Sequence, residues 1–338
     1  MHTLVNEAVN ASNLDPNLGY AKGLINAVLR RVLRNENIYQ EISEEKNPSY
    51  PDWWIRKLKY AYPEQAEAII SFSRAKPPLT LRVNQKQIIG AESKKAYMAQ
   101  FSEAGLECQD LASIGNYTLP LGFELTTPVP VAQIPGFYDG ACSVQDAGAQ
   151  LAGQILNPAK GARVLDACAA PGGKSAQLLE QFDIALDALE IDPLRAKRIE
   201  ENFSRLKLTG GNVLIGDAAN PKAWFKGELY DAILADVPCS ASGIVRRHPD
   251  IPYLRQEVDI KNLQVTQRKI LTALWSVLKP GGKLLYVTCS VFPDEGELQA
   301  KWWLSAMPNA LRLEAPGQLL PNKQHDGFFY ALFEKAKD

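Results

Sequence analysis

From residue 141 onward, short runs of aliphatic and β-branched residues alternate with stretches of helical length. Five of these runs are candidate strands: 162–167, 185–191, 212–217, 231–237 and 283–288. Strands that alternate with helices usually pair in parallel, with helices on both faces of the sheet. The pattern therefore predicts an α/β fold with a doubly wound, mostly parallel sheet. Two later runs, near 311–314 and 327–334, would complete one edge of it.

The first 140 residues follow a different pattern. Residues 21–34 repeat apolar side chains at helical spacing, which predicts an amphipathic helix. Arg30, Arg31 and Arg34 lie in its last turns, where they either suit the helix dipole or contact RNA. Polar residues 35–50 predict a linker.

A small α/β module is predicted to follow this linker. Its candidate elements are two short helices within 51–75 (the second from Pro63), a strand after 76, a helix over 91–104, and strands near 117–119 and 123–126. The glycine at position 105 is a common stop for such a helix.

The bulk composition excludes few partners. A chain of 338 residues is long enough for about two domains. Its net charge of −1 creates no overall positive field for a polyanion, although RNA binding needs only one basic face. The longest apolar runs fall short of the roughly 20 residues that a membrane span needs. We therefore expect no membrane association.

The cysteines and histidines exclude a zinc site. Five cysteines are widely spaced without a CxxC pattern, and three histidines are scattered along the chain. An odd number of cysteines without a signal peptide is typical of reduced thiols in the cytosol. We expect a cytoplasmic protein without a bound metal.

The sequence DACAAPGGK, which includes Cys168–Lys174, predicts a strand, a tight turn and a helix. Small residues let the backbone approach a ligand, and the helix start offers free N–H groups. A phosphate-binding P-loop would need glycine where Cys168 stands, and the GxGxxG dinucleotide fingerprint is absent. Of the candidate ligands, this leaves a cofactor with a nucleoside and a carboxylate, such as S-adenosyl-L-methionine.

Two acidic residues follow at the ends of the next two candidate strands. Glu190 lies 18 residues after Gly172, where a carboxylate can accept both ribose hydroxyls. Asp217 is placed to accept from an adenine amino group. Each alone is commonly a helix cap or a solvated residue. Because they end successive strands of one sheet, together they favour a cofactor site beyond the carboxyl ends of the strands.

Cys239 in DVPCS and Cys289 in TCS differ from the other cysteines, for which buried packing is the default. Each ends a candidate strand and precedes a serine. A thiolate that adds to C6 of cytosine makes C5 enamine-like and able to attack an activated methyl group. A second thiol can then help to remove the C5 proton. A redox disulfide is the alternative, which the spacing does not support.

Two charged residues would assist these thiols. Asp236 would stabilise the charge of the adduct at N3 of the base if it is protonated or hydrogen-bonded there. Lys174 would lower a thiol pKa or hold Asp236 in place, unless it merely reaches solvent. The loop 242–251, SGIVRRHPDI, would either hold a phosphate and a flipped nucleotide or form a basic surface loop.

These motifs closely resemble those of the NOL1/NOP2/Sun family of RNA 5-methylcytosine methyltransferases. The resemblance implies a Rossmann-like catalytic domain, with Cys289 as the nucleophile and Cys239 assisting release. DNA cytosine methyltransferases instead use the PC-type cysteine as the nucleophile. By the same resemblance, the contacts to S-adenosyl-L-methionine are Cys168, Ala169, Ala170, Pro171, Gly172, Gly173, Lys174, Glu190, Asp217 and Asp236.

The resemblance extends to the N-terminal half. AKGLINAVLRRVLR followed by YPDWWIRKLKYAYPEQ resembles a bacterial subgroup that has a NusB-like RNA-binding domain and methylates a cytosine of small-subunit (16S) ribosomal RNA. It implies four parts: a partial NusB-like helical segment at 1–45, a helical linker at 46–75, a small α/β module like an RNA-recognition motif at 76–140, and the catalytic domain at 141–338.

The NusB-like resemblance begins partway through that domain, so we expect an N-terminally truncated copy. Helices that would pack against residues 21–34 are then missing, and an amphipathic helix without partners is loosely held. We predict fast amide hydrogen exchange across 21–34, whereas strong protection there would contradict the prediction.

Two other functions remain open at this point. A methyltransferase of the same class that acts on transfer RNA is one, and a non-catalytic RNA-binding or ribosome assembly factor that retains the fold is the other. We further expect a monomer, because the catalytic sheet has no obvious apolar stripe left uncovered; a dimer in light scattering would refute this.

Overall fold

The computed structural model describes residues 2–13, 19–35, 50–90 and 93–337. The chain divides into two compact units, Met1–Ser49 and Tyr50–Asp338. Most of the predicted linker, residues 36–49, lies outside the described residues. The predicted domain boundaries after residues 45, 75 and 140 stay predictions.

The described part of the first unit contains helices α1 (His2–Ala11) and α2 (Lys22–Arg34), with a short 3₁₀ turn at Gly19–Ala21 directly before α2. Helix α2 coincides with the helix predicted over 21–34. None of its residues is buried, and Leu24 and Val28 on its apolar stripe are 67% and 50% exposed. Because these side chains gain little from packing, fast amide exchange across α2 stays the expected result.

The second unit begins with the helix pair α3 (Asp52–Ala61) and α4 (Ala66–Arg74). The second of these starts three residues later than the predicted Pro63, because residues 63–65 form a turn. The pair buries Trp54 against Phe292, with ring centroids 4.9 Å apart. The Tyr62 hydroxyl donates to the main-chain oxygen of Val291 at 2.8 Å. The helix pair therefore supports the chain just beyond Cys289.

A small antiparallel sheet follows, in the strand order β2–β5–β1–β6. Its strands are β1 (Leu79–Val83), β2 (Cys108–Asp110), β5 (Gly122–Leu125) and β6 (Cys142–Val144), with a separate ladder of β3 (Ser113–Ile114) and β4 (Tyr117–Thr118). Helix α5 (Ser93–Glu103) contributes Tyr97 and Phe101 to a core shared with Phe123. Strand β6, which sequence reasoning placed in the catalytic domain, pairs with β1 of this sheet.

A seven-stranded sheet forms the rest of the unit. Its strands are β7 (Arg163–Ala167), β8 (Ala185–Glu190), β9 (Gly211–Ile215), β10 (Tyr230–Asp236), β11 (Leu278–Thr288), β12 (Ala310–Leu319) and β13 (Phe328–Lys335). The order is β12–β13–β11–β10–β7–β8–β9. Strands β7 to β11 all run parallel to one another, whereas β13 is antiparallel to β11 and β12 is antiparallel to β13. This confirms the predicted α/β fold with a doubly wound, mostly parallel sheet. The strand order reverses between β7 and β10, where such sheets bind ligands.

Helices cover both faces of this sheet. They are α6 (Leu151–Leu156), α7 (Gly173–Gln181), α8 (Pro193–Arg205), α9 (Pro221–Trp224), α10 (Ile251–Leu254), α11 (Glu257–Ser276) and α12 (Glu297–Ala306). Successive residues of β7 point to opposite faces, so that Val164 packs with Leu178 of α7 and Leu165 packs with Leu271 of α11. Strands buried on both faces explain why the candidate strands are almost continuously apolar.

A buried ion pair joins the two sheets. Arg82 on β1 is fully buried, and its Nε and Nη2 donate to the Glu180 carboxylate on α7 at 3.1 and 3.0 Å. Its Nη1 donates to the main-chain oxygen of Gly173 at 3.3 Å. The small sheet therefore holds both ends of the helix that follows the glycine-rich turn.

Candidate active site

The glycine-rich turn leads from β7 into α7 and is held in an unusual backbone conformation. Cys168 and Gly172 have φ values of +64° and +94°. A Cβ atom on Gly172 would lie 3.1 Å from Cγ2 of Ile199, so that both the conformation and the space favour glycine there. A Cβ on Gly173 would meet no atom within 4 Å. The start of α7 therefore faces open space, as a ligand-binding turn requires.

Glu190 ends β8 and fastens the turn to it. The side chain is buried, and its Oε1 accepts from the N–H groups of Ile191 and Asp192 at 3.0 and 3.1 Å. Its Oε2 accepts from the Ala170 N–H at 3.2 Å. Because a carboxylate oxygen has two acceptor positions, Oε2 retains one for a ligand such as a ribose hydroxyl.

Asp217 lies just beyond β9, on the same edge of the sheet. Its side chain is exposed, and its Oδ1 accepts from the Ala219 N–H at 2.8 Å, which shapes a local turn. Its main-chain oxygen accepts from the Trp224 indole at 2.8 Å. The turn fixes the backbone of Asp217 and leaves its side chain exposed.

Asp166 is a candidate site residue that sequence reasoning missed. It lies in β7, is 1% exposed, and its Oδ2 accepts from the Ser175 hydroxyl at 2.5 Å, while its Oδ1 has no hydrogen-bond partner within the described residues. Burial raises its pKa to about 7, partly offset by the Ser175 hydrogen bond. An unpaired buried carboxyl oxygen beside the turn suits a cationic or hydroxyl group of a cofactor. The sequence offered one indication of this role, namely an acidic residue inside the otherwise apolar strand segment VLDA.

The raised pKa of Asp166 predicts a pH-dependent stability. Its carboxyl binds a proton in the folded protein up to about pH 7 but in the unfolded chain only below about pH 3.8. Between these values the folded state holds more protons, so the free energy of unfolding should fall as pH rises, by at most about 1.4 kcal/mol per pH unit. Urea unfolding of Asp166→Asn should show a shallower decline.

Asp183→Asn is the matched control for this prediction. Asp183 is exposed and lies 3.8 Å from Lys160, so its replacement should leave the pH slope unchanged. Equal slopes for wild type and Asp166→Asn would contradict a buried, protonated Asp166.

The structure brings Lys174 and Asp236 together. Lys174 lies in the first turn of α7, and its ammonium is 2.6 Å from Oδ2 of Asp236 at the end of β10. Burial alone would lower the pKa of Lys174, but the Asp236 carboxylate and its hydrogen bond outweigh burial and raise it. Lys174 is therefore a fixed positive charge between the glycine-rich turn and the Asp236 loop.

The two thiols singled out from the sequence meet at the ends of adjacent strands. Cys239 follows β10, Cys289 follows β11, and their Sγ atoms are 3.4 Å apart as free thiols. The hydrogen bond to Cys289 and burial raise the pKa of Cys239 well above its usual value, and the charge of Glu295 adds to this. Cys239 is therefore a protonated thiol at neutral pH, hydrogen-bonded to Cys289.

The two arginines of the loop 242–251 pair with buried carboxylates. Nε of Arg246 lies 2.5 Å from Asp326, while Arg247 contacts Asp326 at 2.5 Å and Asp146 at 2.9 Å. Charges paired in this way anchor the loop inside the protein. Both arginines are therefore engaged with carboxylates, the phosphate-binding role of the loop stays a prediction, and the His248 side chain is exposed.

Comparison with known proteins decides the family. A family model described as 16S rRNA methyltransferase RsmB/F matches residues 153–334, more than half of the chain. The chain belongs to this family. A second model, the RsmF/B-like ferredoxin-like domain, matches residues 50–132. The matches confirm the resemblance found in the sequence motifs.

Curated relatives agree over nearly the whole chain. The ribosomal RNA small subunit methyltransferase B of Vibrio cholerae is 42% identical over 99% of this chain and 77% of its own length. The protein of the same name from Pasteurella multocida is 40% identical over 99% of this chain and 76% of its own length.

Solved structures share the fold. The crystal structure of PH0851 has a TM-score of 0.80 and 26% identity, and covers 94% of this chain and 73% of its own. A methyltransferase homologue from Pyrococcus horikoshii has a TM-score of 0.73 and 26% identity, and covers 85% of this chain and 96% of its own.

Family membership establishes the class of enzyme. The chain is an RNA methyltransferase, and its cofactor is S-adenosyl-L-methionine. The open start of α7 and the acceptors on Asp166, Glu190 and Asp217 fit a nucleoside and an amino acid group. Within the described ranges, no helix is long and apolar enough to cross a membrane, and no cluster of metal-binding side chains was found.

Proposed function

We propose that the protein methylates C5 of a cytosine in small-subunit (16S) ribosomal RNA through a covalent bond between Cys289 and C6 of the base. Cys239 assists release of the product. The observation that carries this proposal is the 3.4 Å contact between the two thiols beside the glycine-rich turn. The names of the curated relatives support ribosomal RNA as the substrate. A cytoplasmic location is part of the same proposal.

The residues that hold the cofactor are proposed from the same geometry. The turn Cys168–Lys174 would cradle its amino acid end, Glu190 its ribose, and Asp217 its adenine, with Asp236 and Asp166 nearby. S-adenosyl-L-methionine supplies an electrophilic methyl group. The chain's own residues make the cytosine ring able to accept it.

Attack begins at Cys289. Its thiolate adds to C6, and the electron pair of the C5–C6 double bond becomes available at C5 for the new bond to the methyl carbon. C5 then carries both a methyl group and a hydrogen, and the electron pair of the broken sulfur–methyl bond would stay on the cofactor sulfur, leaving S-adenosylhomocysteine. Removal of that proton restores the double bond and breaks the C6–S bond, so that Cys289 leaves as a thiolate.

Charge distribution around the thiols supports different roles for them. The positive charge of Lys174 is close enough to Cys289 for the two to stabilise each other when Cys289 is ionised. Cys239 has a raised pKa largely because of Cys289. Once the Cys289 sulfur is bonded to carbon, this effect is lost and Cys239 ionises more readily, so that its thiolate is available to remove the C5 proton, directly or through water.

Asp236 is proposed to contact N3 of the base. Its Oδ1 is not used by Lys174, and Asp236 is the last residue of β10, three residues before Cys239. A hydrogen bond from a protonated N3 to this carboxylate would stabilise the charge that develops when the thiolate adds to C6.

A methyl-transfer assay tests the function. Purified protein, labelled S-adenosyl-L-methionine and unmethylated 16S ribosomal RNA should yield labelled 5-methylcytosine after digestion to nucleosides. Labelling of transfer RNA in place of 16S RNA would instead favour a transfer RNA enzyme. RNA binding without turnover would favour a non-catalytic assembly factor.

A further inference from the structure

Glu295 lies below the two cysteine loops and contacts both of them. It ends the short helical turn Pro293–Glu295, and its side chain is fully buried. Its Oε1 accepts from the Ser240 N–H at 2.8 Å and from the Gln267 side chain at 3.1 Å. Its Oε2 accepts from the hydroxyls of Ser240 and Ser290 at 2.5 and 2.7 Å. One carboxylate therefore binds the residue after Cys239 and the residue after Cys289.

The backbone of Glu295 is fixed as well. Its main-chain oxygen accepts from the hydroxyls of Tyr286 and Thr288, both on β11, at 2.8 and 3.2 Å. Ser242 reinforces the link between the loops, because its hydroxyl lies 2.9 Å from that of Ser290 and accepts from the Val291 N–H at 3.0 Å. Neither loop can move relative to the other without breaking hydrogen bonds to this buried group.

The hydrogen bonds indicate that Glu295 is ionised. A carboxylate has about four acceptor positions, and four donors occupy them, two on each oxygen. Burial leaves the pKa of Glu295 above its usual value, although the hydrogen bonds from the serines and Gln267 limit the rise. Within the described residues no cation forms an ion pair with it. Its negative charge therefore acts on the nearby Cys239, and Lys174 acts on Cys289.

We propose that Glu295 is a positioning residue for methyl transfer. Its carboxylate holds the Cys239 and Cys289 loops in a fixed position relative to each other and keeps Cys239 protonated. The inference rests on the proposed function. It explains why each cysteine is followed by a serine, because Ser240 and Ser290 are the two residues that Glu295 clamps.

Glu295→Gln tests the proposal. The glutamine amide accepts hydrogen bonds on one oxygen only, so its NH₂ group would face the two donors that bind the other carboxylate oxygen in the wild type. A loop displacement of about 1 Å can reduce turnover about 100-fold, so kcat should fall roughly 100-fold while the KM values for cofactor and RNA stay within about two-fold. Glu297→Gln is the matched control, because Glu297 pairs with Arg312 at 2.7 Å and does not touch either loop.

A second measurement separates positioning from simple stability. The pH dependence of alkylation at Cys239, followed by mass spectrometry of the folded protein, should shift to lower pH in Glu295→Gln, since the neighbouring negative charge is gone. Glu295→Asp keeps the charge and should leave the midpoint close to that of the wild type. If Glu295→Gln does not fold, Ser290→Ala removes one link to the Cys289 loop and should lower kcat about ten-fold.

Two results would overturn the inference. One is a folded Glu295→Gln enzyme with kcat within about three-fold of the wild type. The other is an unchanged alkylation midpoint at Cys239. Failure of the proposed function looks different, because the wild type itself would then form no 5-methylcytosine in the RNA.

Discussion

Replacing Cys239 with alanine is expected to leave the protein covalently attached to its RNA. Without the thiol that removes the C5 proton, the Cys289–C6 bond forms but does not break. The variant, expressed with its RNA present, should give a slow band on a denaturing gel, and nuclease should convert this band to free protein. The 3.4 Å distance between the two Sγ atoms is the structural reason to expect such a division of roles.

Cys289→Ala is the second variant of this experiment, and the comparison decides which cysteine attacks the base. It should give no adduct, and its turnover should fall about 10⁴-fold or more, as expected when a nucleophile is removed. Cys108→Ala is a control in the small sheet, where the thiol contacts only local groups such as the Met98 main-chain oxygen, and it should behave like the wild type. An adduct with Cys289→Ala alone would reverse the roles, as in the DNA enzymes.

Breaking the buried ion pair of Arg82 and Glu180 is expected to cost about 3–5 kcal/mol in the free energy of unfolding of the Tyr50–Asp338 unit. Arg82→Met leaves the Glu180 carboxylate buried without its cation, and it also removes the hydrogen bond to Gly173 at the start of α7. Cofactor affinity should fall together with stability. Urea unfolding and cofactor titration are the two measurements.

A more exposed ion pair provides the stability comparison for Arg82 and Glu180. Arg312→Met breaks a half-exposed pair with Glu297 and should cost only about 0–1 kcal/mol. The double variant Arg82→Met with Glu180→Leu removes both charges and should be more stable than either single variant. A loss below about 1 kcal/mol for Arg82→Met would show that the pair does not fasten the two sheets.

Much of the catalytic fold was predictable because buried parallel strands have a clear pattern. The five candidate parallel strands agree with β7 to β11 within one or two residues, except that β11 begins five residues earlier, at Leu278. That extension was not predictable, because KPGG is typical of a turn, yet Leu278 pairs with Tyr230 ahead of a register shift. Strand β6 was not predicted, because it has only three residues and its partner β1 lies about 60 residues earlier in the chain.

Site residues were predictable where they directly follow strands. Contacts between residues that are far apart in the sequence were not predictable. The positions of Cys239, Cys289, Glu190 and Asp217 follow from the rule that ligands bind beyond the carboxyl ends of parallel strands. The pairing of Arg246 with Asp326, 80 residues later, has no local pattern. Glu295 was missed for the same reason, because its partners Ser240 and Gln267 come from other elements of the fold.

Release of tritium from C5 tests the central claim most directly. Unmethylated 16S ribosomal RNA labelled with tritium at C5 of cytosine would be incubated with the protein and S-adenosyl-L-methionine. Attack by Cys289 at C6 and methyl transfer to C5 predict one tritium released to water for each methyl group transferred, and neither event in Cys289→Ala. Methyl transfer without tritium release would place the methyl group elsewhere and contradict the account.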